Sequence, residues 1–243
     1  MNKWFPFNRE RKECNNCLFI LHHAGGSAST YIKWLSLSSK IEVIPIELPG
    51  NGCRLNEPYI YDFESIVKDV SKEMCDFAGR KQIFLYGHSM GAAMAFEICE
   101  YLESSLKRKV NGLIVAGRHA PNYEYKDSYC TDMGMDKLEL ELKRIGGTPK
   151  EVFDEEQIRD YFLQQVWKGY KLNESFRYKK KEVLAPIWVH YGREDSDATS
   201  QMMEGWKKLT KNKCIISSFQ GGHFFPLELG ADYFYELQSI ILG

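Results

Sequence analysis

The sequence predicts an α/β protein: a mostly parallel central sheet flanked by helices and broken by a helical insertion. Three observations lead there. Short apolar runs recur along the chain, helical patterns lie between them, and the runs stop over a stretch from about 120 to 181. The runs cover residues 17–22, 41–46, 82–86, 110–116, 187–191 and 214–219. Each is rich in Ile, Leu, Val or Phe and bounded by turn residues, as strands covered on both faces should be.

The first clear helical stripe is Phe63, Ile66, Val67, Val70, Met74 and Phe77, which Gly79 stops. Residues 91–103 and 231–242 also read as helices. In the strandless stretch, Leu138, Leu142 and Ile145 share a helical face that Gly146-Gly147-Thr148-Pro149 ends. Asp154, with Gln157 three residues on, predicts a capped start to a helix carrying Ile158, Phe162 and Val166. Helices inserted between two late strands have the form of a lid over a pocket, with Gly146-Gly147 as its hinge; added packing helices are the plainer alternative.

The chain has 243 residues, the size of one larger α/β domain, and the expectation is a single domain over 1–243 with the lid insertion at about 120–181. Thirty-two Lys and Arg against 33 Asp and Glu leave a net charge of −1, so overall charge gives no reason to expect a nucleic-acid partner. No apolar run approaches the roughly 18 residues a membrane span needs. The opening Met1 to Glu10 turns to charge before a signal-peptide core could form, so a cytoplasmic protein is expected. The seven cysteines are an odd, scattered set. Cys14 and Cys17 make a C-x-x-C pair, but no second pair or suitably spaced histidine accompanies them, and reduced structural thiols are expected.

The chemistry is carried by Gly87-His88-Ser89-Met90-Gly91, which follows the apolar run Gln82 to Tyr86 and precedes the Ala-rich start of a helix. This is G-x-S-x-G between strand and helix. A turn that tight leaves no room for side chains two positions either side of the serine. It lifts the Ser89 hydroxyl above the sheet at a helix N-terminus, where negative charge is favoured. A serine needs a base to take its proton. In the chain order Ser, acid, His, the choices after Ser89 are His190 and His223. His190 sits inside an apolar run and reads as a packed strand residue, whereas His223 follows Gly221-Gly222 in a loop after the last strand and can reach the serine.

The acid belongs in the loop after the penultimate strand, where Glu194, Asp195 and Asp197 compete. Spacing alone does not choose among them, although the turn after Gly192 most naturally aims Asp195 at the imidazole. Two N–H donors are needed for a tetrahedral oxyanion. The amide of Met90 is one; the small residues of His22-His23-Ala24-Gly25-Gly26 place the other at Ala24. Adjacent histidines project in different directions, so His22 and His23 are not read as metal ligands. No metal or cofactor is expected.

Phe19 to Ser27, Glu47-Leu48-Pro49-Gly50, Tyr86 to Ala92 and Gly221-Gly222-His223-Phe224-Phe225 together resemble the type II thioesterases that accompany nonribosomal peptide and polyketide synthases. Weaker blocks agree: Ala116-Gly117-Arg118-His119-Ala120-Pro121, the Gly146 to Pro149 turn, and Gly192 to Asp195 with Trp206 beyond. The chain departs from the family pattern at His22, where a Pro is frequent, and at Asn51-Gly52-Cys53-Arg54 after the L-P-G segment.

The resemblance implies the α/β-hydrolase fold and hydrolysis of acyl thioesters held on a carrier protein's phosphopantetheine arm, for editing or release. Acidic carrier proteins would then be partners, and Lys143, Arg144 and Lys179-Lys180-Lys181 are candidates to face them, the alternative being ordinary solvated charge. The start at Met1 and the lack of a carrier or linker segment give the expectation of a free-standing enzyme. A monomer is compatible with the sequence. The rival activities are a general carboxylesterase or acyl-CoA hydrolase on the same residues, and a non-catalytic acyl-binding module.

Overall fold

A computed structural model describes residues 2–8, 13–123 and 129–243. The six apolar runs form one sheet: β1 (Asn16–Leu21), β2 (Ile41–Pro45), β3 (Gln82–His88), β4 (Gly112–Ala116), β5 (Ile187–Gly192) and β6 (Cys214–Phe219). Their order is β2-β1-β3-β4-β5-β6, and every neighbouring pair is parallel. Both faces of β1 to β4 are covered, which is why their sequences are continuously apolar rather than alternating.

On one face lie α1 (Phe63–Ala78) and α2 (Met90–Ser104). Asp62 caps α1, its carboxylate accepting the Ser65 N–H at 3.0 Å, and Gly79 ends it at φ 56°. Phe63, Ile66, Val67, Val70 and Met74 pack inward with Phe19 and Leu85. Full burial of such side chains contributes roughly 1.5–3 kcal/mol each. On the other face, α8 (Ala231–Leu242) packs Tyr233, Phe234 and Leu237 against Tyr31 and Trp34, which come from a 3-10 helix at Ala28–Ser36 that local sequence patterns do not reveal.

Between β4 and β5 the described residues hold no strand. They form α3 (Met135–Ile145), α4 (Lys150–Asp154) and α5 (Glu156–Glu174). Leu138 and Leu142 of α3 and Leu163 and Val166 of α5 make a separate small core with Tyr129. One expectation fails here: Asp154 closes α4 instead of capping α5, whose cap position is Glu155 without a side-chain hydrogen bond, and Ile158 points to solvent. A short helix has instead already opened after Pro149, which stands at its cap position, and Asp154 is its last residue. After β5 come α6 (Ser200–Met203) and, past β6, α7 (Phe225–Leu229).

None of the seven cysteines is in a disulfide. Among the described residues there is no His, Cys, Asp or Glu cluster suited to a metal, and no helix is long and apolar enough to cross a membrane.

Candidate active site

Strand β3 runs straight into Ser89, which stands at φ 55°, ψ −116°. A non-glycine residue in that region costs on the order of 1–3 kcal/mol and persists only where its surroundings hold it. Here the Ser89 N–H donates to the Ala116 carbonyl at the end of β4 (2.8 Å), and the Ala92 N–H donates to the Ser89 carbonyl (2.9 Å). The flanking glycines are demanded by space. A Cβ on Gly87 would lie 2.1 Å from the Gly91 carbonyl oxygen, and one on Gly91 would lie 2.2 Å from that of Leu21.

The loop after β6 carries His223, and the loop after β5 carries the three competing carboxylates. Asp195 is the one that meets the imidazole: His223 Nδ1 donates to its Oδ2 at 2.9 Å, and the Asp197 N–H donates to Oδ1 at 2.9 Å. Burial by itself would raise the Asp195 pKa, but the hydrogen bond and charge of His223 outweigh it, and the carboxyl sits below its ordinary value. Asp197 is instead held from α3 by Arg144, whose Nη2 donates to Oδ2 at 2.6 Å. Glu194 is tied through its backbone N–H to the Gly221 carbonyl (3.1 Å).

His88, the residue before the serine, has a part that sequence reasoning left out. Its Nε2 lies 2.8 Å from the His223 carbonyl oxygen and must therefore carry the proton and donate. Burial, with the nearby His223, pushes its pKa down to about 3, so it is neutral at physiological pH. The other sequence-derived histidine alternative, His190, is buried with Nδ1 2.8 Å from the Tyr233 hydroxyl, and its pKa is also pushed down to about 3 by burial. His22 and His23 face different neighbours: the His22 ring lies against the His23 carbonyl (2.8 Å), and the His23 ring against His88 and Phe224.

A cavity of about 60 Å³ is lined by His23, Ala24, Ser89, Met90, Arg118 and His223 from the sheet side. Leu142, Ile145, Tyr170 and Asn173 of the inserted helices roof it. A second cavity of about 100 Å³ shares Ser89, Arg118, Ile145, Tyr170 and His223. Larger hollows of about 380 and 560 Å³ lie elsewhere, but no histidine lines either, so neither offers a serine its base. The roof is pressed close. Gly169 of α5 lies over the His22–Gly26 loop, and a Cβ there would come within 2.8 Å of the Ala24 Cα. Tyr170 and Asn173, three residues apart on α5, turn one face to the cavity. Arg118 stands in one of the weaker resemblance blocks, but its convergence with Asn173 from 55 residues away has no local sequence signal.

The basic residues named as candidates to face a partner are largely occupied. Lys143 pairs with Glu139 (2.6 Å), Arg144 with Glu141 and Asp197, Lys179 with Glu64 (2.8 Å) and Lys181 with Glu100 (2.7 Å).

A parallel sheet wrapped by helices, with a strained serine between β3 and α2 and a histidine after the last strand, defines the α/β-hydrolase class. The thioesterase-domain family model matches residues 16–239, and the chain belongs to the thioesterase family, hydrolases that act on thioester bonds. It is 30% identical to the gramicidin S biosynthesis protein GrsT of Aneurinibacillus migulanus, over 94% of this chain and 90% of that one. It is also 30% identical to a protein of Brevibacillus parabrevis named linear gramicidin dehydrogenase LgrE, over 92% and 87%. The type II thioesterase BorB of the borrelidin biosynthetic cluster superposes with a TM-score of 0.87 at 26% identity, over 99% and 98% of the two chains. The likeness to type II thioesterases of nonribosomal peptide and polyketide assembly thus extends over nearly the whole chain.

Proposed function

We propose that this thioesterase cleaves acyl chains from the phosphopantetheine arm of a carrier protein through an acyl-Ser89 intermediate. The observation that carries the reading is Ser89 on its strained turn, sharing a cavity with a histidine whose Nδ1 donates to a buried carboxylate. Because Nδ1 holds the proton shared with Asp195, Nε2 of a neutral His223 is the acceptor. Ser89 Oγ attacks the thioester carbon as its proton passes to Nε2. The oxyanion is met by the amides of Met90 and Ala24. Collapse expels the thiolate, which takes the proton from the imidazolium and leaves as the thiol. Water then gives a proton to Nε2 and attacks the acyl ester, and Ser89 leaves with that proton. Asp195 holds the tautomer throughout and stabilises the imidazolium.

The carrier-bound substrate is supported by relatives named for gramicidin S biosynthesis and for the colibactin NRPS/PKS pathway. A cavity of about 60 Å³ is far below the roughly 300–1,000 Å³ of ordinary ligand clefts, which supports an opening of the inserted helices to admit the arm. The test is intact-mass spectrometry after mixing with an acyl thioester. The unsubstituted protein should gain the acyl mass transiently, and Ser89→Ala should neither gain it nor turn over while melting at an unchanged temperature. An adduct on Ser89→Ala would move the nucleophile elsewhere, and equal rates on the matching oxygen ester would point to a general esterase.

A further inference from the structure

Arg118 lies two residues beyond Ala116, the residue whose carbonyl takes the Ser89 N–H. At 3.8 Å per residue, its backbone stands within about 8 Å of that hydrogen bond. The side chain lines both cavities that contain Ser89 and His223. Nη1 donates to Asn173 Oδ1 at 2.7 Å, and the guanidinium stands 5.8 Å from the centre of the Phe176 ring.

Among the described residues no carboxylate pairs with Arg118, and its buried Nε has no partner. The acids lining the neighbouring cavity are Glu141 and Asp197, and Arg144 already holds both, at 2.7 and 2.6 Å. Burial pushes the Arg118 pKa down to about 10, so the group stays charged at neutral pH. A cation taken out of water without a counter-charge is costly. With Nη1 spent on Asn173 and Nε buried without a partner, Nη2 is the donor left to meet an anion, through a charge-assisted hydrogen bond.

We propose that Arg118, braced by Asn173, binds a carboxylate on the acyl chain of the substrate, so that the enzyme prefers monoacyl thioesters of dicarboxylic acids. The arm's phosphate is an anion of similar demand. It stands at the far end of the pantetheine, however, whereas Arg118 lines the same small cavities as the nucleophile. The proposal rests on the acyl-Ser89 reading and specifies the acyl group that reading leaves open.

The test compares glutaryl and pentanoyl thioesters of N-acetylcysteamine, equal in chain length and both free of phosphate. The unsubstituted enzyme should favour the glutaryl chain in kcat/KM. Arg118→Gln should lose about 10- to 100-fold on the glutaryl chain, mainly through KM, the scale of a lost hydrogen bond between charged groups. Its turnover of the pentanoyl chain should stay within about 2-fold, and Arg118→Lys should recover part of the glutaryl loss. Calorimetry of glutaryl thioester on Ser89→Ala, with and without Arg118→Gln, reads binding without turnover, and an equal affinity in the two overturns the proposal. So does an equal loss on both chains, which would make Arg118 a brace for α5 alone. A selective loss seen only when the thiol carries the phosphopantetheine phosphate assigns Arg118 to the arm and also overturns it. Failure of both the glutaryl and the pentanoyl chain to react would instead strike the acyl-serine reading.

Discussion

Helix α2, which starts at the serine, and the helices α3 and α5 that roof the cavity are held by different means. Eleven of the 15 residues of α2 are buried, against two of 11 in α3 and four of 19 in α5. Helix α2 belongs to the main core, whereas the roof has its own small cluster of Tyr129, Leu138, Leu142, Leu163 and Val166. The roof also leaves Met133, Leu140, Ile158 and Tyr161 largely exposed. It is joined to the rest by Leu172 near the end of α5, which enters the main core, and by polar ties such as Arg144 to Asp197 and Ser196, and Arg118 to Asn173. A satellite core of this kind opens at lower free energy than the sheet. The serine and histidine are thus mounted on the stable part, and the cover over them on the labile part.

The sharpest break between the two regions falls inside one loop. Asp195 belongs to the sheet side and touches His223; Asp197, two residues on, belongs to the roof through Arg144. Asp195→Asn should lower kcat by about 10⁴-fold, the scale of loss when a triad histidine is left in the wrong tautomer. Asp197→Asn should cost less than about 10-fold, since it removes one surface tie. Steady-state rates on a single thioester decide it, and comparable losses would place the two carboxylates in one unit.

The same Gly→Ala change should separate the regions in stability. At Gly91 the new methyl would meet the backbone oxygens of Leu21 and His22 at 2.2 and 2.7 Å, and neither can yield without moving β1. Gly91→Ala should cost more than about 3 kcal/mol or prevent folding. At Gly146 nothing lies within 4 Å, and only the φ of 77° resists, so Gly146→Ala should cost about 1 kcal/mol. The adjacent Gly147 is not an equivalent hinge position, because a methyl there would run into the Phe224 ring at 2.1 Å. Urea midpoints measure all of this, and a Gly91→Ala protein as stable as Gly146→Ala would remove the distinction.

Acid should act on the sheet side first, because α3 to α5 contain no histidine. Burial holds His88 and His190 to a pKa of about 3 and, with Arg118 beside it, His119 to about 4. Unfolded, each titrates near 6.5, so below that pH the unfolded chain binds more protons and stability falls as pH drops, down to about 3–4. Glu97 acts oppositely, since burial and Glu100 raise it to about 7 and it favours the folded state less as pH rises from 4.5. His22 and His23 are likewise lowered by burial and Glu103 is raised by it, so five histidines against two carboxyls leave a net loss of stability on acidification between about pH 6 and 5. Urea unfolding at pH 7, 6 and 5 checks the sign; a flat profile would mean that these histidines already take up protons in the folded chain.

The smallest effect is expected for Arg144→Ala. The ion pairs it removes are partly exposed and worth under about 1 kcal/mol, so global stability should barely move. Hydrogen exchange in residues 135–174 should nevertheless quicken relative to β3, because one of the ties between roof and sheet is gone. Unchanged exchange there would mean that Gly169 against Ala24, and the packing around it, fixes the roof without the arginine.

The amino-acid sequence by itself determined the six strands, α1, α2 and α8, and the turn at Ser89, because each rests on local causes. Both-face burial makes a strand continuously apolar, a 3.6-residue stripe with Asp62 and Gly79 at its ends makes a helix, and Gly87 and Gly91 mark a place where backbone meets backbone. Tertiary structure alone decided what depends on meetings across the chain. Which of three neighbouring carboxylates reaches His223 is decided by the turn that packs the β5 loop on the β6 loop. The helical state of Ala28–Ser36 depends on α8 covering Tyr31 and Trp34, and the split between α4 and α5 on how the roof folds back. Lys179 and Lys181 look like a free basic run until Glu64 and Glu100 arrive from α1 and α2. Arg118 reads as an ordinary loop arginine until α5 closes over it, leaving a half-buried cation that shares a cavity with Ser89. Local sequence encodes backbone geometry and burial, whereas a side chain's partner is set by whichever distant segment folds against it.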